Sequence, residues 1–490
     1  MWNKQSLKNI IKENFKDCQF VIVSNREPYI HIWKNDKIVC QRSIGGVTIS
    51  FETIMRTTGG IWVAYGGSSA DKDTVDENDH VKLPVNDPKY TLRRVWMSKK
   101  ELAGYYEGFS NSTLWPLCHV VFIKPSFVES DWQNYKKINK RFAKAILEEI
   151  EHKKAIVWIQ DYHFALLPRY IKEKRPDVIV AQFWHIPWPT HEIFRICPWK
   201  KEILDGLLHN DLLGFHRYYH VDNFFKTVNR ELEANVDYED LTVLYKKNIH
   251  KIKFFPISVD YEDVVNRLKN ARRMKKFLIK ELVKSPYKIL AVGIDRIDYT
   301  KGIPLRLRAI EKFLEMYPKY RGKFVYLGIG APSRTGIVTY RRLGREINEI
   351  IKKISQKFKK GNWQPIYYLN EVVERNKVLN ILSQADLCLI TSLDDGMNLV
   401  AKEFVAANET GGSLIISQFT GAAKELTEGF LINPYDIKSV AQTIYQAIKT
   451  PKKERIERMK KMKNTIKERN LYRWAGKFLL ELSTLKGKTE

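Results

Sequence analysis

The stretch KILAVGIDRIDYTKGIPLRLRAI (288–310) predicts a β-strand, a turn and an α-helix in direct succession. Its apolar start, KILAVG (288–293), is followed by a charged turn and then by apolar residues at helical spacing. The turn carries two cations, Arg296 and Lys301, where the helix is expected to begin. Because free backbone N–H groups at a helix N-terminus already favour anions, this turn predicts an anion site that suits a diphosphate.

A second segment of the same kind, LITSLDDGMNLVAKEFVAA, occupies residues 389–407. Its apolar start predicts a strand, its acidic centre a turn, and its end a helix. The turn carries Asp395, and the predicted helix carries Glu403. Cations that hold a diphosphate, together with carboxylates that hold sugar hydroxyls, predict a nucleotide-sugar site.

Short apolar runs alternate with amphipathic stretches along almost the whole chain. In one helical pattern, apolar residues recur every four positions, at Ile138, Phe142, Ile146 and Ile150. The runs themselves are nearly continuous, as in parallel strands that are covered on both faces. We predict strands at FVIVS (20–24), IWVAYG (61–66), HVVFI (119–123), AIVWI (155–159), VIVAQFWHI (178–186), DLLGF (211–215), KILAVG (288–293), KFVYLGIG (323–330), PIYYL (365–369), DLCLITS (386–392), SLIIS (413–417) and GFLIN (429–433).

The number of runs predicts an α/β protein with two doubly wound, Rossmann-like domains and a cleft between them. We place the boundary near FFPISVDYED (254–263), where Pro256 interrupts the pattern. The expected domains are therefore residues 1–255 and 256–470, followed by a C-terminal helix and tail at 471–490. Ligands of such sheets bind at the carboxyl ends of the strands, where the candidate motifs of this chain also lie.

The charge balance limits the kinds of partner. Lysine and arginine exceed aspartate and glutamate by 27 charges, which suits phosphorylated ligands, nucleic acid or an anionic membrane. The basic residues are spread out and interleave with glutamate, as in KKERIERMKKMKNTIKERN (452–470), which is typical of a solvated helical face. We expect neither a nucleic-acid nor a membrane partner. The polar N-terminus and the lack of a long apolar run predict a cytoplasmic protein.

Neither a metal nor a cofactor is expected. The odd number of cysteines, without a CxxC pair, argues against a zinc site or a disulfide framework (Cys18, Cys40, Cys118, Cys197 and Cys388). The pair Asp394-Asp395 is not a DxD metal motif and lacks further clustered ligands. The absence of GxGxxG and Walker A sequences leaves a nicotinamide enzyme or a P-loop nucleotidase unsupported.

Three further motifs could contact a phosphate, one in the second half of the chain and two in the first half. GAPSRTG (330–336) carries Arg334, and SNREPY (24–29) carries Arg26; an arginine fork matches the geometry of phosphate. IGGVTIS (44–50) contains Gly45-Gly46, which would let backbone N–H groups approach a phosphate closely. A Gly-Gly pair alone, however, is more often only a turn.

Polar and aromatic residues also follow strands in the first half. QDYHFALLP (160–168) places Asp161, Tyr162 and His163 at one strand end, and FWHIPWPTHEIFR (183–195) places His185 at another. A lone histidine at a strand end is more often structural than catalytic, but Asp161 and His185 together favour a functional role. Tyr106 and Trp115, in GYYEGFSNSTLWP (104–116), offer flat faces for a sugar or simply belong to the core.

Taken together, these motifs resemble those of the trehalose-6-phosphate synthases, a family of retaining glycosyltransferases with the two-domain GT-B fold. The resemblance covers nearly the whole chain and rests on DYH (161–163), HIPWP (185–189), DRIDYTKGIP (295–304), PSRT (332–335), DGMNLVAKE (395–403) and INPYD (432–436). Several motifs in order are far more specific than any one of them. The resemblance implies an acceptor-side domain at 1–255 and a nucleotide-sugar domain at 256–470.

The resemblance also implies roles for individual residues. Donor binding is implied for Gly46, Arg296, Lys301, Asp395, Gly396, Met397, Asn398, Leu399 and Glu403. Acceptor binding is implied for Arg26, Trp62, Tyr106, Trp115, Tyr162, His163 and Arg334. The implied catalytic residues, none of them a general base, are Arg296, Lys301, Asp161 and His185. Among departures from the usual family pattern, Asp394 stands where an arginine is common.

The expected reaction is transfer of glucose from a nucleoside diphosphate glucose, with UDP-glucose favoured, to glucose 6-phosphate. An alternative within the resemblance is a glucosylglycerol-phosphate synthase that uses ADP-glucose and glycerol 3-phosphate. A third hypothesis is a basic binding protein with a dead enzyme fold, but such a protein has no physical need for the full set of candidate residues. The donor base, the acceptor, regulation and a homo-oligomeric state are left open by the sequence.

Overall fold

The computed structural model describes residues 2–42, 46–271 and 275–485. The chain divides into two compact units. The first unit comprises Met1–Ile257 together with Tyr472–Glu490, and the second comprises Ser258–Leu471. Each unit is built on a sheet with a parallel core, as the nearly continuous apolar runs predict.

The first unit contains a ten-stranded sheet with the strand order β10-β11-β12-β9-β8-β7-β1-β4-β6-β5. Strands from β12 to β6 in this order run parallel, and antiparallel strands lie at both edges. β2 and β3 form a separate antiparallel hairpin. The strands are β1 (Gln19–Arg26), β2 (Tyr29–Lys34), β3 (Lys37–Arg42), β4 (Ile61–Tyr65), β5 (His80–Leu83), β6 (Tyr90–Val95), β7 (Ala155–Gln160), β8 (Ile179–Phe183), β9 (Leu212–Phe215), β10 (Asn235–Asp237), β11 (Thr242–Tyr245) and β12 (Asn248–Phe254).

Helices connect these strands. The described α-helices up to residue 257 are α1 (Lys4–Asn14), α2 (Gly46–Thr58), α3 (Lys99–Leu102), α4 (Trp115–Cys118), α5 (Glu129–Glu149), α6 (Leu167–Lys172), α7 (His191–Phe194), α8 (Lys200–Leu207) and α9 (Tyr218–Glu231). A π-helix spans Ala103–Leu114, and short 3₁₀ turns occur at Lys72–Thr74 and Tyr162–Phe164. The apolar stripe predicted on α5 is buried at Ile138, Phe142 and Ile146.

The second unit contains a six-stranded, fully parallel sheet with the order β15-β14-β13-β16-β17-β18. Its strands are β13 (Ile289–Arg296), β14 (Phe324–Ala331), β15 (Ile366–Leu369), β16 (Leu387–Ile390), β17 (Ser413–Ser417) and β18 (Phe430–Ile432). Its helices are α10 (Tyr261–Ala271), α11 (Lys275–Leu282), α12 (Ile303–Met316), α13 (Val338–Phe358), α14 (Arg375–Gln384), α15 (Leu399–Ala407), α16 (Ile437–Lys449) and α17 (Lys452–Glu468), with 3₁₀ turns at Tyr299–Lys301, Pro318–Tyr320 and Gly421–Lys424.

The strand orders place a topological switch point in each sheet. In the second unit, the chain moves from β13 to β14 and β15 on one side and returns to β16 on the other. In the first unit, β1 likewise lies between β4 and β7. Connections that leave a parallel sheet in opposite directions open a crevice at the carboxyl ends of the strands, which is where such sheets bind ligands. A ligand site is therefore expected at the loops after β13 and β16 in the second unit and after β1 and β7 in the first.

The last helix, α18 (Leu471–Ser483), packs within the first unit, although the second unit precedes it in sequence. Trp474 lies with its ring centroid 5.4 Å from that of Trp158 and 5.1 Å from that of Phe183, and Phe478 stacks on Trp158 at 4.5 Å. Trp158 belongs to β7 and Phe183 to β8. The helix therefore covers one face of the parallel sheet with aromatic side chains.

One predicted strand is wrong. HVVFI (119–123) follows α4 directly and forms no strand, because Phe122 adopts a φ of 59°, in the left-handed region that an extended strand excludes. His119 and Val121 are buried while Val120 and Phe122 are exposed, an alternation that imitates a half-buried strand. Over the described residues, no helix combines the length and the apolar character needed to cross a membrane.

Candidate active site

The loop between β13 and α12 carries the two predicted cations. Arg296 is the last residue of β13, and Lys301 ends the short turn Tyr299–Lys301 just before α12. Gly302 then adopts a φ of 61°, and a Cβ at this position would lie 2.3 Å from the backbone oxygen of Thr391. Only glycine combines that backbone conformation with that close approach, so the sequence TKG fixes where the helix begins.

Asp298 lies between two arginines of the second unit. Its carboxylate is fully buried, 3.7 Å from Nη2 of Arg296 and 3.0 Å from Nη1 of Arg334. Burial alone would raise the pKa of Asp298, but Arg334, Arg296 and Lys301 outweigh it and hold the pKa below its ordinary value. Arg334 also donates to the hydroxyl of Tyr340, so its guanidinium is held inside the unit, whereas the Arg296 side chain is 41% exposed.

The second cation, Lys301, contacts the turn that follows β16. Its Nζ lies 2.6 Å from Oδ2 of Asp395, and Nδ2 of Asn398 donates to the same oxygen at 3.1 Å. Asn398 also caps α15, since its side-chain oxygen accepts from the backbone N–H of Ala401. The structure thus brings together the two turns that the sequence singles out, with Arg296, Lys301 and Asp395 at the switch point.

A buried arginine links the strands that precede these two turns through hydrogen bonds. Arg306, on α12, is 1% exposed and donates to Asp295 at 2.6 Å, to the Tyr326 hydroxyl at 3.1 Å and to the Thr391 hydroxyl at 2.9 Å. The Thr391 hydroxyl in turn donates to the backbone oxygen of Lys301. Neither Arg306 nor Asp298 belongs to the residues that the sequence motifs single out. The acidic residues on either side of Arg296, in the sequence DRID (295–298), were the signal that pointed to ion pairs at this turn.

Glu403 lies on α15 and forms an ion pair with Arg375, the first residue of α14. Glu403 Oε1 lies 3.1 Å from Nη2 of Arg375, whose Nη1 donates to Asp263 at 3.1 Å. Burial raises the pKa of Glu403, and Arg375 opposes that rise. Met397 and Asn398 are buried beside the turn, while Leu399 begins α15.

In the first unit, four of the predicted acceptor residues lie together. Arg26, at the end of β1, donates to the hydroxyl of Tyr106 at 3.3 Å. Tyr106 stacks on His163 with ring centroids 5.8 Å apart, and His163 stacks on Tyr162 at 4.1 Å. Tyr106 belongs to the π-helix, a form that often marks functional positions and that sequence periodicity did not reveal.

Asp161 and His185, which follow neighbouring strands, are also brought together. The Asp161 carboxylate accepts from the backbone N–H of His185 at 3.2 Å and from that of Tyr162 at 3.0 Å. Asp161 has a φ of 73°, so its backbone is strained in a way that often accompanies a functional site.

The His185 ring is buried and neutral. Its Nε2 lies 3.0 Å from Oε1 of Gln160, whose side-chain amide donates to the backbone of Trp158. Because that contact orients the Gln160 oxygen toward the ring, Nε2 carries the proton. Burial lowers the pKa of His185 to about 3, which removes it as a positively charged group at ordinary pH.

The remaining predicted residues lie apart from these clusters or at their edge. Trp62 is buried on β4, where its indole N–H donates to the Ser24 hydroxyl at 2.8 Å, a core arrangement. Trp115 is buried and lies 5.7 Å from the Tyr162 ring. Gly46 is the first residue of α2, whereas its neighbour Gly45 lies outside the described residues. Across the described part of the chain, no group of three or more His, Cys, Asp or Glu side chains could hold a metal ion.

The geometry defines a class of protein. The second unit carries two cations at the start of α12 with carboxylates beside them, and the first unit carries an arginine that is hydrogen-bonded to Tyr106, whose ring stacks on His163. Two such units are characteristic of the GT-B type of glycosyltransferase. The chain belongs to glycosyltransferase family 20, whose family model matches residues 18–484.

Individual relatives agree with this family. The trehalose-6-phosphate synthase of Mycobacterium avium (strain 104) is 36% identical over 478 residues, which cover 95% of each chain. A solved structure from E. coli, bound with UDP-2-fluoro glucose, matches with a TM-score of 0.83 at 28% identity and covers 95% of this chain and 99% of the other.

Another solved structure contains a sugar phosphate. The alpha,alpha-trehalose-phosphate synthase (UDP-forming) from Burkholderia xenovorans, in complex with glucose-6-phosphate, matches with a TM-score of 0.85 at 27% identity and covers 95% of this chain and 99% of that one. The predicted family and the predicted GT-B fold are therefore confirmed.

Proposed function

We propose that this chain is a retaining glucosyltransferase that moves glucose from UDP-glucose to glucose 6-phosphate and forms trehalose 6-phosphate. The observation that carries the proposal is the pair Arg296 and Lys301 at the start of α12, with Asp395 in contact with Lys301. The relatives support the choice of substrates, since one solved relative holds a UDP-glucose analogue and another holds glucose-6-phosphate. The glycerol 3-phosphate alternative has no such support.

The chemical problem in this reaction is the charge that separates as UDP leaves the sugar. The bond between the anomeric carbon and the diphosphate oxygen breaks, and a bond from an acceptor hydroxyl to the same carbon forms. Arg296, Lys301 and the N–H groups at the start of α12 would stabilise the negative charge on the departing diphosphate. Since these donors are already held in place by Asp298 and Asp395, little reorganisation is needed during the reaction.

The proton of the acceptor hydroxyl needs a destination as well. With attack on the same face from which the diphosphate leaves, that proton passes to an oxygen of the leaving phosphate. No protein general base is then required, which agrees with the neutral, buried state of His185. His185 and Asp161 would instead contact the sugars, with the Asp161 carboxylate held by two backbone N–H groups.

The acceptor phosphate would be held by Arg26. This guanidinium is exposed at the end of β1 and contacts the Tyr106 hydroxyl, so a phosphate could receive hydrogen bonds from both groups. Stacked Tyr106, His163 and Tyr162 rings would present a flat face beside it to the sugar.

A substrate matrix tests the proposal. The purified protein is assayed with UDP-, ADP- and GDP-glucose against glucose 6-phosphate and glycerol 3-phosphate, and the product is identified by NMR of its anomeric protons. We expect the highest kcat/KM for UDP-glucose with glucose 6-phosphate and a product with both anomeric centres in the α configuration. A preference for glycerol 3-phosphate, or binding without turnover, would overturn the proposal.

A further inference from the structure

Glu403 has one oxygen held and one oxygen open. Its Oε1 is paired with Arg375, and among the described residues no hydrogen bond to Oε2 is formed. The side chain is 13% exposed, and Oε2 is not among the described buried atoms that have no hydrogen-bond partner, so this oxygen reaches the surface, where a ligand can contact it. A carboxylate in this state can accept from the hydroxyls of a ribose while its other oxygen stays anchored.

Arg375 is itself fixed by a second carboxylate. Its two terminal nitrogens contact different acids, Glu403 on α15 and Asp263 on α10, each at 3.1 Å. Arg375 sits at the first position of α14, so one planar guanidinium joins three helices of the second unit. A planar fork of this kind holds its partners in one orientation, which a flexible ammonium cannot do.

We propose that Arg375 is a positioning residue for nucleotide recognition, which orients Glu403 so that its open oxygen accepts from the ribose hydroxyls of the donor. This inference rests on the proposed function, in which the donor is UDP-glucose, and on the donor-binding role that the resemblance implies for Glu403. Arg375 acts through Glu403 and does not touch the nucleotide. Asp263 serves as the anchor that keeps the guanidinium in place.

Neighbouring charges support the same arrangement. The charged groups that face Glu403 are Arg375 on α14 and Asp263 and Arg267 on α10. Arg267 pairs with Asp263 at 2.8 Å and donates to Asn376 at 3.3 Å, and it forms no ion pair with Glu403. Arg267 therefore offers a matched control. Like Arg375 it pairs with Asp263, but unlike Arg375 it forms no ion pair with Glu403.

The test compares two nucleotides that differ only in the ribose hydroxyls. Binding of UDP and of 2′,3′-dideoxy-UDP is measured by calorimetry for the wild type and for Arg375→Ala, Arg375→Lys and Arg267→Ala. We expect Arg375→Ala to weaken UDP binding about tenfold, as for loss of a charge-assisted hydrogen bond, and to leave dideoxy-UDP binding unchanged. Arg375→Lys should lie between wild type and alanine for UDP, and Arg267→Ala should match the wild type for both nucleotides.

A double-mutant cycle separates positioning from a general structural role. If Arg375 acts through Glu403, adding Arg375→Ala to Glu403→Gln should cause no further loss of UDP affinity. Equal losses for both nucleotides, or a full additional loss on the Glu403→Gln background, would overturn the inference. If Arg375→Ala does not fold, the Arg375→Lys variant answers the same question. Failure of the substrate matrix with intact, ribose-dependent UDP binding would count against the proposed reaction and not against Arg375.

Discussion

Arg296 and Arg334 share the Asp298 carboxylate, but they share it unequally. Arg334 is buried against Asp298 at 3.0 Å, while Arg296 is partly exposed and lies at 3.7 Å. The buried charge of Asp298 thus keeps a close partner when Arg296 is removed. Of the two arginines, Arg296 is the one whose side chain reaches the surface.

Replacement of Arg296 should therefore separate activity from folding. We expect Arg296→Ala to lower kcat/KM by roughly 10²–10³-fold, the cost of removing one preorganised donor to a developing negative charge. The melting temperature should stay close to that of wild type, since Arg334 still neutralises Asp298. Arg308→Ala, which removes a half-exposed arginine paired with Glu346, is the control and should leave both quantities unchanged. Near-normal activity of Arg296→Ala would refute its assigned role.

His185 should make the protein less stable in acid. Burial lowers its pKa from the ordinary 6.5 to about 3. Between these two pH values the unfolded chain binds a proton at His185 that the folded protein does not bind. The contribution of neutral His185 to the free energy of unfolding is therefore complete above pH 6.5 and is lost as the pH falls toward 3. Between pH 6.5 and 5, wild type should lose about 1–2 kcal/mol more of its free energy of unfolding than His185→Gln does.

Urea denaturation at several pH values measures this difference. His152→Gln serves as the control, because that side chain is almost fully exposed and should not change the slope. Parallel stability curves for wild type and His185→Gln would show that His185 takes up a proton as freely in the folded state as in the unfolded state.

At the scale of elements, the turn at Gly302 offers a test of the loop that carries Lys301. Gly302 and Gly322 both have positive φ, 61° and 83°, but only Gly302 has a backbone oxygen in the path of an added Cβ. Gly322→Ala should cost about 1 kcal/mol of unfolding free energy through backbone strain alone. Gly302→Ala should cost more than that and lower kcat as well, since the loop must move away from Thr391. Equal costs in urea denaturation would mean that the close approach has no energetic weight.

The final helix should be essential to the first unit. Trp474 is buried against Trp158, Phe183 and Phe51, and its truncation to alanine should cost about 3–5 kcal/mol as a large-to-small core change. Leu480→Ala, on the same helix, changes a side chain that is 39% exposed and should cost far less. Chemical denaturation that shows similar losses for the two variants would contradict the packing described for α18.

Strands with a continuous apolar run could be predicted from the sequence, including β15 and β18 at the edges of the second sheet, whereas short or partly polar strands could not. Runs such as AIVWI and SLIIS are buried at every position, so their continuous apolar character is sufficient evidence. The edge strands β5 and β10 are short and partly polar, because one side of each has no partner. The run HVVFI misled for the opposite reason, since its alternating burial arises in a loop.

The candidate site was predictable to the extent that its residues stand next to strands. Arg296 ends β13, and Lys301 and Asp395 lie in the turns that follow β13 and β16, which the sheet order then brings together. Asp298, Arg306 and Arg375 escaped notice because their importance comes from partners far away in the chain. Pairing of that kind depends on packing and leaves no periodic pattern in the sequence.

For the molecule as a whole, ligand binding should appear as local protection in one unit. UDP would contact the turns that carry Arg296, Lys301 and Asp395, so amide hydrogen exchange should slow at residues 296–302 and 395–403. At one hundred times its Kd, UDP should also raise the free energy of unfolding by about 2.7 kcal/mol. Protection spread evenly over both sheets would contradict the assignment of the nucleotide to these turns.

The path of the chain places α18 in the first unit, although the whole second unit lies between it and the rest of that unit in sequence. Backbone leaves the first unit after Ile257 and re-enters it at Tyr472, where the helix embeds its tryptophan and phenylalanine among the rings of β7 and β8. A protease that cuts the connection near residue 257 would thus produce two fragments, and the C-terminal fragment would carry α18. The two fragments should stay associated after the cut, because the aromatic side chains of α18 remain packed among the rings of β7 and β8.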